Sequence, residues 1–312
     1  MEIYRSLKEI KYCRPSAVAL GLFDGLHIGH TVILTKTVAF ARERGIAAAV
    51  FTFRDHPGNV MAGKTAIPRL LLEEEKLETL SNLGIDYTFD FDFADGFHQM
   101  LPEVFAEKLL KKSFLAEAVF SGFNFRFGAD ASGDTETLIK LGKEFGFKTY
   151  VIDPVCVNGR VVSSSLIRDL INEGEIEQAG QMLGYDYALS GSVQEGQNIG
   201  HSLGFPTANI FPHSELTLPA FGVYVTETQT DSRIYPSVSN VGVNPTVSEN
   251  GSAHVETHII DSNLDLYGKK ISVSFKKKLR EERRFESREA LCHQIGIDVE
   301  SARNYFTIQN NI

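Results

Sequence analysis

In the first half of the chain, short apolar runs alternate with stretches whose apolar residues recur every three or four positions. Residues 17–21 and 47–53 are continuous apolar runs of a length that suits strands buried on both faces. Residues 29–44 carry Val32, Ile33, Val38 and Phe40 at helical spacing, and Gly45 follows as a stop. The same texture predicts helices over 70–83, 102–113 and 135–145, and strands over 87–91, 118–120 and 148–152. A βαβα order predicts an α/β fold of Rossmann type, a parallel sheet covered by helices. Ligands of such sheets bind where strand C-termini meet helix N-termini.

Past about residue 185 the segments become short, alternating and punctuated by Gly, Pro and Asn. Strands are predicted over 188–193, 221–228, 237–241, 254–260 and 270–275; in the last, Ile271, Val273 and Phe275 alternate with Ser272 and Ser274. Several such strands with turn signals predict a small β-barrel or sandwich. A long helix is expected over 287–306, and the charges at 276–284 read as its solvated approach. The change of texture divides the chain into domains 1–184 and 185–312.

Length and charge adjust this picture only a little. The 312 residues suit two domains, each able to bury its own core. With 43% hydrophobic and 23% charged residues, a largely disordered chain is excluded. The net charge of −9 argues against nucleic-acid or membrane partners, although a local basic cleft stays open. Cys13, Cys156 and Cys292 are far apart and odd in number, so no disulfide framework or CxxC metal site is indicated. Residues 1–11 lack the apolar core of a signal peptide, and no apolar run approaches the roughly 20 residues that cross a bilayer, so a cytoplasmic location is expected.

The chemistry concentrates in two places. After the first strand, residues 19–30 read Ala-Leu-Gly-Leu-Phe-Asp-Gly-Leu-His-Ile-Gly-His. Gly21, Gly25 and Gly29 permit close backbone approach, and His27 and His30 share one face at a helix start, where free N–H groups favour phosphate. A structural turn and a metal pair are the other readings of two such histidines. Residues 121–128, Ser-Gly-Phe-Asn-Phe-Arg-Phe-Gly, follow another strand. Residues 162–168, Val-Ser-Ser-Ser-Leu-Ile-Arg, open a helix either as caps or as an anion site. In the second half, Gly196, Gly200 and Gly204 recur every fourth residue. Thr207 and Asn209 then share one face of an extended stretch and offer oxygens to a hard cation such as Mg²⁺, unless they simply line a surface strand. Glu256 and His258 share a strand face with Val255 and Ile259 turned inward, which makes Glu256 a candidate base or one residue of a solvated face.

The histidine string, the Asn124-Phe-Arg-Phe-Gly segment and the Ser-Ser-Ser-x-Ile-Arg segment resemble the N-terminal module of bacterial bifunctional riboflavin kinase/FAD synthetases. The strings at 196–209, Gly222-Val-Tyr, Asn240-Val-Gly-x-x-Pro-Thr, Val255-Glu-Thr-His, Asp265-Leu-Tyr-Gly and Leu279-Arg resemble the kinase module of the same family, in the same order. The resemblance implies an N-terminal nucleotidyltransferase domain and a C-terminal kinase barrel. It implies that Gly21, Phe23, Asp24, His27, Gly29 and His30 hold ATP phosphates, joined by Asn124, Ser164, Ser165 and Arg168. It implies that Thr207 and Asn209 bind Mg²⁺, that Glu256 is the base, and that Gly196, Gly200, Gly204, Pro206, Asn240 and Arg280 meet ATP or flavin. Substrates would be riboflavin, FMN and ATP, with FAD as product, handled by a monomer or weak homo-oligomer. Two departures stand out. Phe53-Arg-Asp-His-Pro replaces the family's common Phe-x-Pro-His-Pro, and His201 stands where a basic residue such as Arg is common. Asp55 brings a negative charge near a phosphate site, which keeps open a kinase with an impaired adenylyltransferase module. A flavin-binding regulatory protein is the further alternative.

Overall fold

The computed structural model describes residues 1–194, 204–231, 233–243, 253–262 and 264–309. Gly196, Gly200 and His201, and the Pro245-Thr246 end of the Asn240 string, lie outside the described residues. The chain divides into two compact units, Met1–Ser164 and Ser165–Ile312.

The first unit is a six-stranded parallel sheet in the order β1-β4-β3-β2-β5-β6. The strands are β1 (Glu2–Tyr4), β2 (Ser16–Leu20), β3 (Ala47–Phe53), β4 (Tyr87–Phe91), β5 (Ala116–Gly122) and β6 (Lys148–Ile152). Successive residues of β2 and β3 serve opposite faces. Val18, Leu20, Ala49 and Phe51 join one core with Phe89, Phe105 and Phe114, while Ala17, Ala19, Ala48 and Val50 join the other with Leu34 and Ala41. Burial on both faces is why these strands read as unbroken apolar runs. Helix α1 (Ile28–Arg44) covers one face; α4 (Pro102–Val104), continued by a π-helical run Phe105–Ser113, and α5 (Thr135–Phe145) cover the other.

Helix α2 (Pro57–Ala62) was not foreseen, and α3 (Glu73–Asn82) starts later than the periodicity suggests. The Leu70 N–H donates to Asp24 Oδ1 at 3.0 Å and the Leu72 N–H to Glu75 at 3.2 Å, so the chain is held in a turn until residue 73.

In the second unit, α6 (Ser164–Glu173) and α7 (Ile176–Leu183) precede six antiparallel strands. These are β9 (Ala188–Ser192), β10 (Ala208–Ile210), β11 (Gly222–Thr230), β12 (Arg233–Val243), β13 (Ala253–Ile259) and β14 (Lys270–Arg280), with a small β7–β8 hairpin (Cys156–Val157, Arg160–Val161) earlier in the chain. Their order is β10-β13-β12-β11-β14-β9, and a bridge between Gln194 and Asn209 brings the two edges together, leaving a nearly closed barrel. Inward residues include Leu189, Ile210, Tyr224, Val255, Val273 and Phe275. Among them, Thr226, Thr228, Ser237, Ser239 and Thr257 satisfy one another by hydroxyl hydrogen bonds of 2.7–3.2 Å. Helix α8 (Arg288–Gln309) lies on the outer face, where Val299 and Ala302 meet Val223, Val225 and Val238.

The charged stretch from 276 corrects an expectation. Residues 276–280 are the end of β14 rather than a solvated approach to the helix. Lys276 Nζ lies 2.6 Å from Asp186 and 2.7 Å from Glu227, so its charge is paired where the strand needs it.

Candidate active sites

Strand order fixes where the first site can be. Strands β2 and β5 are neighbours at the sheet centre, and the chain runs outward from them in opposite directions. A crevice therefore opens beyond their C-terminal ends. The histidine string follows β2 and the Asn124 segment follows β5, so two motifs a hundred residues apart meet at that crevice.

The turn between β2 and α1 is tightly specified. Phe23 (φ +51°) and Gly25 (φ +77°) are both left-handed. Asp24 fastens the turn twice, through its carboxylate to the Leu70 N–H and through its carbonyl to Ser164 Oγ at 2.9 Å. His27 caps α1, its Nδ1 accepting the His30 N–H at 3.2 Å. Nδ1 is then unprotonated, and the neutral ring keeps its proton on Nε2 as a donor. The His27 and His30 rings stack with centroids 3.6 Å apart, and Phe23 meets His30 edge-on at 5.2 Å. Burial pushes the His27 pKa down to about 4; burial, then the neighbouring His27, holds His30 well below its ordinary value. Both imidazoles are neutral at ordinary pH. Two glycines serve the protein's own rings: a Cβ on Gly29 would come within 3.1 Å of the His27 ring, and one on Gly21 within 3.1 Å of Phe23. Phe23 itself is wholly buried beneath the site.

Several buried polar atoms along this edge of the sheet have no hydrogen-bond partner among the described residues: His30 Nδ1, Ser121 Oγ at the end of β5, and Arg54 Nε just past β3. Buried polar groups are rarely left so, and a polar ligand would satisfy them. Asn124 is exposed in the turn after β5, and Arg126 stands 3.7 Å from Asp134. Ser164 reaches the Asp24 turn; Ser165 is exposed and Arg168 buried in the first turns of α6, which belong to the second unit. The unusual Asp55 is not an isolated charge, since Arg69 Nη2 lies 2.6 Å from its Oδ1.

In the barrel the candidates fall into line. Asn209 pairs with Glu256, Glu256 with Asn240, Asn240 with Val223, and Val223 with Arg280. Directly opposed residues share a face. Asn209, Glu256, Asn240 and Arg280 thus form one row across the outer surface. Thr207 joins it by donating to Glu256 Oε1 at 2.6 Å. The Asn240 amide donates to Glu282 at 2.9 Å. Arg280, expected at a nucleotide or flavin, grips α8: its Nε lies 3.1 Å and its Nη2 2.8 Å from the buried Asp298. Gln294 completes the carboxylate's partners at 2.9 Å. That grip joins residues 18 apart in the chain, and no local spacing announces it. Gly204 has φ +85°, and Pro206 and Thr207 lead into β10.

Comparison with known proteins identifies this combination. A FAD synthetase family model matches residues 9–166, and a riboflavin kinase model matches residues 183–306. A bifunctional riboflavin kinase/FMN adenylyltransferase of Pseudomonas fluorescens is 33% identical over 97% of this chain and 97% of its own length. Its counterpart in Escherichia coli K12 is 34% identical over 93% of this chain and 92% of its own. The chain belongs to the bifunctional riboflavin kinase/FMN adenylyltransferase family. A crystal structure described as a macrolide-efflux protein from Streptococcus pneumoniae is also similar, with a TM-score of 0.88 and 29% identity over 97% of this chain and 98% of that one. The activity in that description stays with that protein; among the described residues no helix is long and apolar enough to cross a membrane. The two family modules coincide with the two motif sets, the nucleotidyltransferase turn in the parallel-sheet unit and the Thr207–Glu256 row in the barrel.

Proposed function

We propose that the two sites divide the family's chemistry between them, within functional domains 1–184 and 185–312. The chain is a riboflavin kinase and FMN adenylyltransferase, an enzyme of flavin cofactor biosynthesis whose substrates are riboflavin, FMN and ATP. The observation that carries the division is the pairing of a locally braced polar constellation with each fold.

In the barrel, Glu256 accepts the proton of the riboflavin ribityl hydroxyl as that oxygen bonds to the γ-phosphorus of ATP and ADP departs. Its carboxylate already accepts the Thr207 hydroxyl proton in a hydrogen bond, so it is exposed to a donor and aligned. The Thr207 hydroxyl and the Asn209 side-chain oxygen, beside that carboxylate, are hard oxygen donors and suit Mg²⁺. Among the described residues no group of three His, Cys, Asp or Glu side chains forms a metal cluster, so these two would hold the cation together with substrate phosphates. When bound, the ion would offset charge on the transferring phosphoryl group.

At the parallel sheet, an FMN phosphate oxygen bonds to the α-phosphorus of ATP and pyrophosphate leaves, giving FAD. His27 and His30 contribute as neutral donors at the N-terminus of α1, where the helix dipole also favours negative charge. Gly21, Phe23, Asp24 and Gly29 shape that turn, and Asn124 and Ser164 of the same unit join the anion site. Gly204, Pro206 and Asn240 line the kinase site beside the row. The ion pair with Arg69 supports an active adenylyltransferase despite Asp55. We read the protein as a cytoplasmic monomer or weak homo-oligomer with neither nucleic-acid nor membrane partners, in keeping with its acidic balance.

Purified protein given riboflavin and Mg-ATP should release both FMN and FAD on chromatography. FMN alone, even with FMN supplied, would reduce the chain to a kinase, and tight flavin binding without turnover would make it a sensor.

A further inference from the structure

Residues 205–207 carry the proposed cation ligand Thr207, yet they precede the paired residues Ala208–Ile210 of β10. Side chains of β13 do what the strand ladder does elsewhere. Thr207 Oγ1 donates to Glu256 Oε1, and two residues along the same face His258 Nδ1 lies 2.8 Å from the Pro206 carbonyl oxygen. A carbonyl only accepts, so Nδ1 carries the proton and donates. Pro206 has no N–H with which to pair, which leaves its carbonyl as the handle the segment offers. The imidazole is itself braced, since Phe205 meets it edge-on at 5.5 Å and 84° and packs into the core beneath α8.

We propose that His258 is a positioning residue for riboflavin phosphorylation: its Nδ1–H holds the Pro206 carbonyl so that Thr207 stands beside Glu256 and Asn209. The inference rests on the kinase-site reading above. A β-strand places residues 256 and 258 on one face about 6–7 Å apart. Glu256 and His258 therefore grip two successive residues of the incoming chain at two points. A single grip on the Thr207 hydroxyl would leave the backbone free to turn about it. Two grips fix both the hydroxyl's place and its direction, and cation coordination needs both. His258 acts through Thr207 and need not touch substrate.

The experiment is a Mg²⁺ titration of FMN formation by the full chain carrying His258→Gln, His258→Ala or His258→Asn, with Thr207→Val as a reference. An Asn amide nitrogen reaches roughly where Nδ1 sits, whereas a Gln amide reaches towards Nε2. Gln and Ala should raise the Mg²⁺ concentration for half-maximal rate by about two- to tenfold, the range of one lost hydrogen bond, with kcat at saturating Mg²⁺ unchanged. Asn should restore the wild-type value. If Thr207→Val shifts the Mg²⁺ dependence and His258→Gln does not, the inference fails and the kinase site stands. If Thr207→Val leaves it unchanged, the kinase-site reading itself fails. If Asn is as impaired as Gln and thermal melting shows all three variants equally destabilised, His258 serves packing alone and the inference is overturned.

Discussion

The stacked histidines make a stability prediction that can be worked from the structure. His27 is 5% exposed and has its pKa pushed by burial from 6.5 to about 4. Below the ordinary value, the unfolded chain takes up a proton that the folded chain refuses until near the lower one. The stability tied to this group is therefore whole above 6.5 and is lost as pH falls towards 4. The full difference corresponds to about 3 kcal/mol, and about 2 kcal/mol is already gone near pH ~5. His27→Asn is the clean perturbation, because Asn is a good helix cap and can still accept the His30 N–H but does not titrate. The chain has no Trp, so urea unfolding at pH about 7.5 and about 5 is followed by circular dichroism and by hydrogen exchange in Ser16–Leu20, which reports the unit carrying the site. Wild type should lose at least about 2 kcal/mol between the two pH values, His30 acting in the same direction, and His27→Asn about 2 kcal/mol less than wild type. Equal losses would refute the neutral, buried His27, and with it the assignment of Nε2–H as a donor to phosphate.

Other consequences follow from individual contacts. Arg280→Ala leaves the buried Asp298 without its cation and should cost about 3 kcal/mol in urea unfolding, whereas Arg280→Met combined with Asp298→Leu should recover most of it. Arg69→Ala frees the charge of Asp55 and should raise KM for ATP in FAD formation about twofold, since solvent still screens the half-exposed Asp55 carboxylate; Asp55→Pro should leave KM at its wild-type value. An unchanged KM in Arg69→Ala would mean that Asp55 lies too far from phosphate to matter.

Much of this was legible locally. Segments 47–53 and 87–91 became strands with those bounds, almost wholly buried; the polar exceptions are Thr52, Thr88 and Asp90, and Asp90 has Lys76 Nζ 3.7 Å away. Gly45 and Gly146 end their helices with left-handed caps, as expected. The alternation at Val255–Ile259 correctly turned Glu256 outward. What escaped was whatever depends on partners distant in sequence. The edge strand β1 is three residues long and exists because β4 pairs with it. The charges of Lys276 and Arg280 looked solvated because Asp186, Glu227 and Asp298 lie 18–90 residues away. Asp55 looked disruptive until Arg69, fourteen residues on, came beside it. His258 was visible as a neighbour of Glu256 on one face, but nothing in the spacing linked it to Pro206. The glycine loop around Gly196 and Gly200 lies outside the described residues and adds nothing to either side.

The division of labour is tested most directly by measuring both products in two variants of the whole enzyme. Glu256→Gln should lower FMN formation by about 10²-fold or more, as loss of a general base does, and leave FMN-to-FAD conversion at wild-type rate. His27→Asn should lower FMN-to-FAD conversion by about 10²-fold, as loss of an electrostatic donor does, and leave riboflavin phosphorylation intact. If either variant depresses both steps to the same extent, the two reactions do not occupy the two sites described, and the account is wrong at its centre.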